Sequence, residues 1–375
     1  MKPMCILALS FVFHQKCAVM ALLLLLSLPL AACGNASSSP SNPGWPNAGA
    51  TTRATTGTFQ EFALPQDKSG LMRPAIDAQG RVWFGEMGRN YLGSFNPQTR
   101  KFWQQTPPKG KSGIMGIVVA ADGTLWFAEQ YANYIGQFSP ASGQYHIYKL
   151  PVITEADPSE AGQMLSLPSA PNDLALDPRG VLWFTELNAN TIGSLNTATG
   201  SLRQYPLTSG KNVQALNPYG ITVDTRGIVW FSEASSNRLG RLDPASGQIS
   251  YFTPPGVNSP LMELASDPRG RIWATTFSSG QLLQFDPASS RFTSYSAPGA
   301  SSAGGLYGLL IASTGDVWVA VTAQNSLARL DVQARRFYTY TIPTASSLPI
   351  GLVEDKHHTI WFTESGSDKI GMLQI

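Results

Sequence analysis

Five glutamates recur at one spacing. Glu86, Glu129, Glu186, Glu233 and Glu364 each stand three residues after a tryptophan, and two further copies of the pattern hold Thr276 and Val321 there. A carboxylate ending a strand can act as a general base or hold a divalent cation. One site needs one or two such groups, so most of the five read as acceptors of backbone hydrogen bonds between neighbouring repeats. A less regular set lies about eleven residues before each tryptophan: Met72-Arg73, Met115-Gly116, Asn172-Asp173, Tyr219-Gly220, Met262-Glu263, Tyr307-Gly308 and Ile350-Gly351. Arg73, Asn172, Asp173, Tyr219, Glu263 and Tyr307 depart from the repeat and are polar. They read either as a pocket for a small molecule or peptide, ringed by methionines, or as the lining of a hydrated channel. Glu263, Asn172 and Asp173 also offer oxygen donors for Ca²⁺ or Mg²⁺, as in a metal-dependent, lactonase-like hydrolase. Histidine is scarce, and His357 and His358, adjacent in a turn, make a weak metal site. The chain has no G-x-S-x-G, H-E-x-x-H, C-x-x-C or phosphate loop.

The elements that carry these residues follow from the tryptophans. Trp83, Trp126, Trp183, Trp230, Trp273, Trp318 and Trp361 recur at intervals of 43 to 57 residues in short apolar runs such as Arg81-Val82-Trp83-Phe84. A period near 45 residues with strand-type composition fits a propeller blade of four strands. Six residues before the tryptophan stands Asp77, Asp177, Asp224, Asp267 or Asp355, and three before it a glycine in every copy but the last, which has His358. That D-x-x-G spacing makes a tight turn with glycine at positive φ. Seven after the tryptophan comes Asn90, Asn133, Asn190, Asn237, Asn325 or Asp368, with Gly280 once, types that tolerate the left-handed conformation. After Trp361 only one strand fits before Ile375, whereas Thr58 to Pro65 resembles the outer strands of other blades. The expected fold is therefore all-β: a seven-bladed β-propeller over 57–375, closed by its N-terminal strand pairing with the last blade. The longest interval places extra residues between Tyr148 and Asp173, on the connection from an outer to an inner strand. They read as a surface insertion or as a lid.

The segment before the propeller reads as targeting sequence. Residues 1–32 contain the run Leu22 to Leu26 and end in Leu30-Ala31-Ala32 before Cys33, with Met1 or Met20 as the start. The stretch 33–56, rich in Ser, Asn, Pro and Thr, reads as a flexible tether. Loss of Lys2 and Lys16 reduces the 26 basic residues to 24, equal to the 24 acidic ones. This balance excludes a basic nucleic-acid footprint. With Cys5 and Cys17 removed, only Cys33 remains and no intrachain disulfide can form. A closed ring also leaves no edge that demands a second subunit, so a monomer is expected.

The repeat Pro218-Tyr219-Gly220-Ile221 through Trp230-Phe231-Ser232-Glu233 to Asn237-Arg238-Leu239-Gly240 resembles the virginiamycin B (streptogramin B) lyase family over the whole chain from Gly57. The segment ending at Cys33 resembles a bacterial lipobox, which implies lipidation of that cysteine and an extracytoplasmic, membrane-anchored protein. The lyase resemblance implies a seven-bladed propeller that opens a cyclic depsipeptide by elimination at its ester, helped by Mg²⁺. It implies catalytic histidines before the glycines of the last two inner strands, a glutamate two residues before the second histidine, and another ending the next strand. Those places hold Tyr307, Ile350, Leu348 and Glu364. Only Glu364 agrees, so the expected function is ligand or partner binding at the channel mouth. The alternative is a lyase with a rearranged site that uses Glu364 with Tyr307.

Overall fold

The computed structural model describes residues 51–55, 57–156, 164–207, 215–299 and 305–375. The leader, Cys33 and most of the expected tether lie outside the described residues. Seven four-stranded antiparallel sheets follow one another around a ring. In the first, Leu71–Ile76 is innermost, followed outward by Val82–Glu86, Tyr91–Asn96 and Lys101–Gln105. The inner strands of blades two to seven are Ile114–Val119, Pro171–Leu176, Pro218–Val223, Leu261–Ser266, Leu306–Ile311 and Pro349–Glu354. The last of these packs beside the first, so the ring is closed. Blade seven takes its outer strand from the N-terminal side, as expected: Thr58–Ala63 pairs antiparallel with Lys369–Gln374.

The tryptophans make the seams between blades. Trp126 of blade two, for example, packs with Leu174, Leu182, Phe184 and Leu195 of blade three. The aspartate of each D-x-x-G turn does more than turn the chain. Asp77 Oδ1 accepts the backbone N–H of Gln79 (3.0 Å) and Arg81 (2.9 Å), while Oδ2 accepts the indole N–H of Trp83 at 2.8 Å. Asp224, Asp267 and Asp355 hold Trp230, Trp273 and Trp361 in the same way at 3.1, 3.1 and 2.9 Å. The left-handed positions are as expected, with φ between 50° and 62° from Asn90 to Asp368, and His358 adopts φ 61° in place of the glycine.

One feature differs from the sequence reading. Thr51–Ala54, assigned to the tether, forms a strand that pairs parallel with the outermost strand of blade six, Thr51 opposite Arg336 and Ala54 opposite Thr339. An outer edge offers unpaired N–H and C=O groups, and a threonine-rich segment can join it through its backbone without any core. The insertion between blades two and three is a hairpin in which Val152–Ala156 pairs with Met164–Pro168.

Candidate functional site

All seven inner strands slip register against their neighbour, and always at the same two residues. In blade one Leu71 is opposite Glu86 and Pro74 is opposite Phe84, which leaves Met72 and Arg73 in a bulge. The other six slips enclose Met115-Gly116, Asn172-Asp173, Tyr219-Gly220, Met262-Glu263, Tyr307-Gly308 and Ile350-Gly351. Bulges re-aim side chains, which is why these residues escape the strand alternation. Hydroxyls fix several of them. Thr275 Oγ1 accepts the N–H of Glu263 at 3.1 Å and donates to the carbonyl of Tyr307 in the next blade at 2.9 Å. Thr185 makes the same bridge between Asp173 and Tyr219, and Ser232 between Gly220 and Met262.

The second bulge residue is charged in blades one, three and five and glycine in the rest. The cause is crowding. A Cβ on Gly220 would lie 2.3 Å from the Met262 carbonyl of the next blade, and one on Gly308 2.2 Å from that of Ile350. Arg73, Asp173 and Glu263 are each followed around the ring by one of the slot glycines.

Five of the six polar residues singled out in the sequence meet at the ring axis. Arg73 crosses from blade one to blade five, donating Nε to Glu263 Oε2 at 2.9 Å and Nη2 to Oε1 at 2.5 Å. Asp173 Oδ1 lies 3.4 Å from the same Nε, and its Oδ2 accepts the Ile221 N–H at 3.0 Å. The guanidinium carbon sits 5.3 Å from the centre of the Tyr219 ring, and the hydroxyls of Tyr219 and Tyr307 are hydrogen-bonded. Asn172 is spent on structure, accepting from Gln130 Nε2 (3.2 Å) and donating to the Tyr219 carbonyl (2.9 Å). Arg73 is 9% exposed, Asp173 and Glu263 7%, and the tyrosines 6%. Burial pushes the Glu263 carboxyl up to about 7 and Asp173 upward against the pull of Arg73, and it raises both phenols. Burial also opposes the Arg73 cation, but the two carboxylates outweigh it and keep the group charged. Its Nη1 is buried and finds no hydrogen-bond partner among the described residues.

The recurring glutamates lie elsewhere, at the ends of the second strands, and all five are fully buried. Among the described residues they make none of the expected backbone bonds between blades. Their partners are side chains of their own blades, from two outer strands, a third strand and turns. Gln104 Nε2 donates to Glu86, Gln204 Nε2 to both oxygens of Glu186 (2.9 and 2.8 Å), Arg238 Nε to Glu233 (2.8 Å) and Ser367 Oγ to Glu364 (2.8 Å). Glu129 has no partner for either oxygen among the described residues, because Ile147 stands where Gln104 and Gln204 stand in their blades. Burial raises Glu86, Glu129 and Glu364 to about 7.

In the five blades that carry the glutamate a third-strand glycine lies opposite the second-strand phenylalanine, a signal present in the sequence as an Ile-Gly or Leu-Gly pair. Gly193 lies opposite Phe184, whose ring a Cβ would meet at 2.1 Å. Blade five exchanges the sizes, with Ala274 opposite Leu283, and blade six pairs Val319 with Ala328. Those are the two blades without the glutamate. Glu364 and Tyr307, considered together as a catalytic pair, occupy different surroundings. Glu364 sits with Ser367 and Glu61 at the ring closure, Tyr307 with Tyr219 on the axis. His358 Nδ1 bonds Ser313 Oγ (2.9 Å) and Glu354 (3.1 Å) in an exposed turn.

The profile of the virginiamycin B lyase family matches residues 47–330 and 160–375. The chain belongs to that family. Virginiamycin B lyase from Staphylococcus aureus superposes with a TM-score of 0.74 at 26% identity, over 85% of this chain and 99% of that one. A catalytically inactive histidine-to-alanine variant of it, solved with quinupristin, gives the same values. The extracellular domain of the BT4673 one-component system from B. thetaiotaomicron shares the fold, with a TM-score of 0.63 at 18% identity, over 84% of this chain and 39% of that one. None of the curated proteins matches in sequence. Among the described residues no helix is long and apolar enough to cross a membrane.

Within this virginiamycin B lyase family member, the two places where the resemblance implies histidine hold Tyr307, bonded to Tyr219, and Ile350, which is buried. The divalent cation that the resemblance implies does not fit the axial cluster. Both oxygens of Glu263 are taken by Arg73, Asp173 is shared between Arg73 and a backbone N–H, and a guanidinium stands among them. Among the described residues no group of three His, Cys, Asp or Glu side chains is placed to hold a metal.

Proposed function

We propose that this protein binds an uncharged ligand at the channel mouth through Arg73, Tyr219 and Tyr307, and that it does not open cyclic depsipeptides. The observation that carries the reading is the balance of donors and acceptors at the axis. Arg73 Nη1 has two N–H groups unspent, and of two mutually bonded tyrosine hydroxyls one proton is left over. The carboxylate oxygens are already engaged by Arg73 and Ile221. Such a site seeks an acceptor oxygen, and two carboxylates beside one cation disfavour an anion. A carbonyl of an amide, ester or lactone meets both conditions. Neither tyrosine with a raised pKa nor isoleucine can replace a histidine as a proton shuttle near neutral pH.

The test has two arms. Purified propeller is incubated with quinupristin, with and without Mg²⁺, and no ring opening is expected; opening that needs Mg²⁺ and is lost in Glu364→Gln would establish the lyase instead. In the second arm a panel of neutral peptides, lactones and depsipeptides is screened by thermal shift. Ligands that stabilise the parent should fail with Arg73→Lys, which keeps the charge but lacks the second guanidinium arm. Equal response by both proteins would move the site elsewhere.

The likeness of the leader to a lipobox and the neutral composition support an exported monomer anchored through Cys33. Fractionation of cells carrying Cys33→Ser should move the protein from membranes to the soluble extracytoplasmic pool; unchanged membrane association would remove the anchor from this reading.

A further inference from the structure

A second opening lies on the side of the ring, far from the axis in the order of strands. In six blades the outermost strand places an aromatic ring against the repeat tryptophan. The pairs are Trp126–Tyr148, Trp183–Tyr205, Trp230–Phe252, Trp273–Tyr295, Trp318–Tyr340 and, through the closing strand, Trp361–Phe62, with centroids 5.3 to 6.2 Å apart. Blade one breaks the rule. The residue opposite Leu92, where Tyr148 stands opposite Ile135 and Tyr205 opposite Ile192, is Gln105. The aromatic has moved two residues back along the same face of the strand to Trp103.

Trp103 meets Trp83 edge to face at 5.6 Å and 71°, and stacks on Phe138 of blade two at 5.4 Å and 17°. It is nevertheless 38% exposed, one of few large apolar side chains so exposed among the described residues. The displacement leaves a cleft of about 390 Å³ between blades one and two, walled by Trp83, Trp103 and Phe138. Its rim carries Gln105 and Lys101, both exposed, and Asn96, whose Oδ1 accepts two backbone N–H groups and whose amide nitrogen faces no such demand.

We propose that this cleft binds the ring of a neutral carbohydrate. A sugar ring has an apolar C–H face edged by hydroxyls, which act as both donors and acceptors. An exposed indole beside an amide and an ammonium group supplies the complement of each part. A purely apolar ligand would cover the aromatic wall but leave the exposed Gln105 and Lys101 heads bonded to water alone, with no part in recognition.

The experiment titrates the propeller with cello-, xylo- and chito-oligosaccharides at millimolar concentrations, followed by tryptophan fluorescence and calorimetry. At least one series should give saturable binding that falls at least about tenfold in Trp103→Ala. Gln105→Tyr restores the aromatic of the other blades and fills the cleft, so it should abolish binding while keeping or raising thermal stability. Arg73→Lys should leave binding unchanged, which separates this site from the axial one. Absence of binding to every series, or binding that survives both Trp103→Ala and Gln105→Tyr, would overturn the proposal.

Discussion

Arg73 is the residue on which the axial cluster turns, because it is the single cation among two buried carboxylates and two phenols. Removing one partner of a buried pair is costly, since the remaining charge loses its compensation. Arg73→Met should therefore lower unfolding free energy by about 3–5 kcal/mol, measured by urea denaturation. Adding Glu263→Met should recover part of that loss by removing one stranded carboxylate. The polar exceptions were legible in the sequence as departures from a repeat, and so was their convergence near the axis. Their roles were not, because Asn172 looks the same in sequence whether it points at a ligand or, as here, ties two blades together.

At the scale of the strand, the unit is a large residue in one strand against a small one in the next. Phe184 against Gly193 and Ala274 against Leu283 are opposite solutions to filling the same volume. Gly193→Leu alone should cost several kcal/mol, about 1–3 from overpacking and more from the displaced ring. Combined with Phe184→Ala it should recover most of the loss, and a double-mutant cycle on thermal unfolding reads that coupling. The buried glutamates belong to the same unit, since they occur only beside a third-strand glycine. Sequence spacing alone suggests backbone bonds across blades, because side-chain partners such as Gln104 and Gln204 lie about eighteen residues away, in the outer strands. Only the register brings them together. The bonds between blades fall instead to hydroxyls such as Thr275, which strand patterning does not mark.

For the whole ring, the buried carboxyls add up to a dependence on pH. In an unfolded chain glutamate titrates near about 4.3, whereas burial holds Glu86, Glu129 and Glu364 to about 7 in the fold. Between those limits the folded state binds more protons. Its stability is therefore full below the lower value and falls as pH rises through the upper one. The thermal midpoint should drop between about pH 5 and pH 8, and Glu129→Gln, which cannot ionise, should flatten the slope. A midpoint that rises over this range would contradict the burial described. Closure by Thr58–Ala63 was legible from the missing strand at the C-terminal end. Deleting residues 57–64 should abolish cooperative unfolding, whereas deleting 51–54, which only adds to an edge, should cost little; calorimetry distinguishes them.

The sequence of bulge residues around the ring has an arithmetic consequence. Charged and bare slots alternate from Arg73 to Gly308, and a ring with an odd number of members cannot alternate all the way round. Three is the largest number of charged slots that such alternation admits in seven blades, and Arg73, Asp173 and Glu263 reach it. Somewhere two bare slots must sit side by side, and here they are Gly308 and Gly351, in blades six and seven. The parity of the ring makes the plug lopsided: its charges come from blades one, three and five, while blades six and seven contribute the buried Tyr307 and Ile350 and no charge.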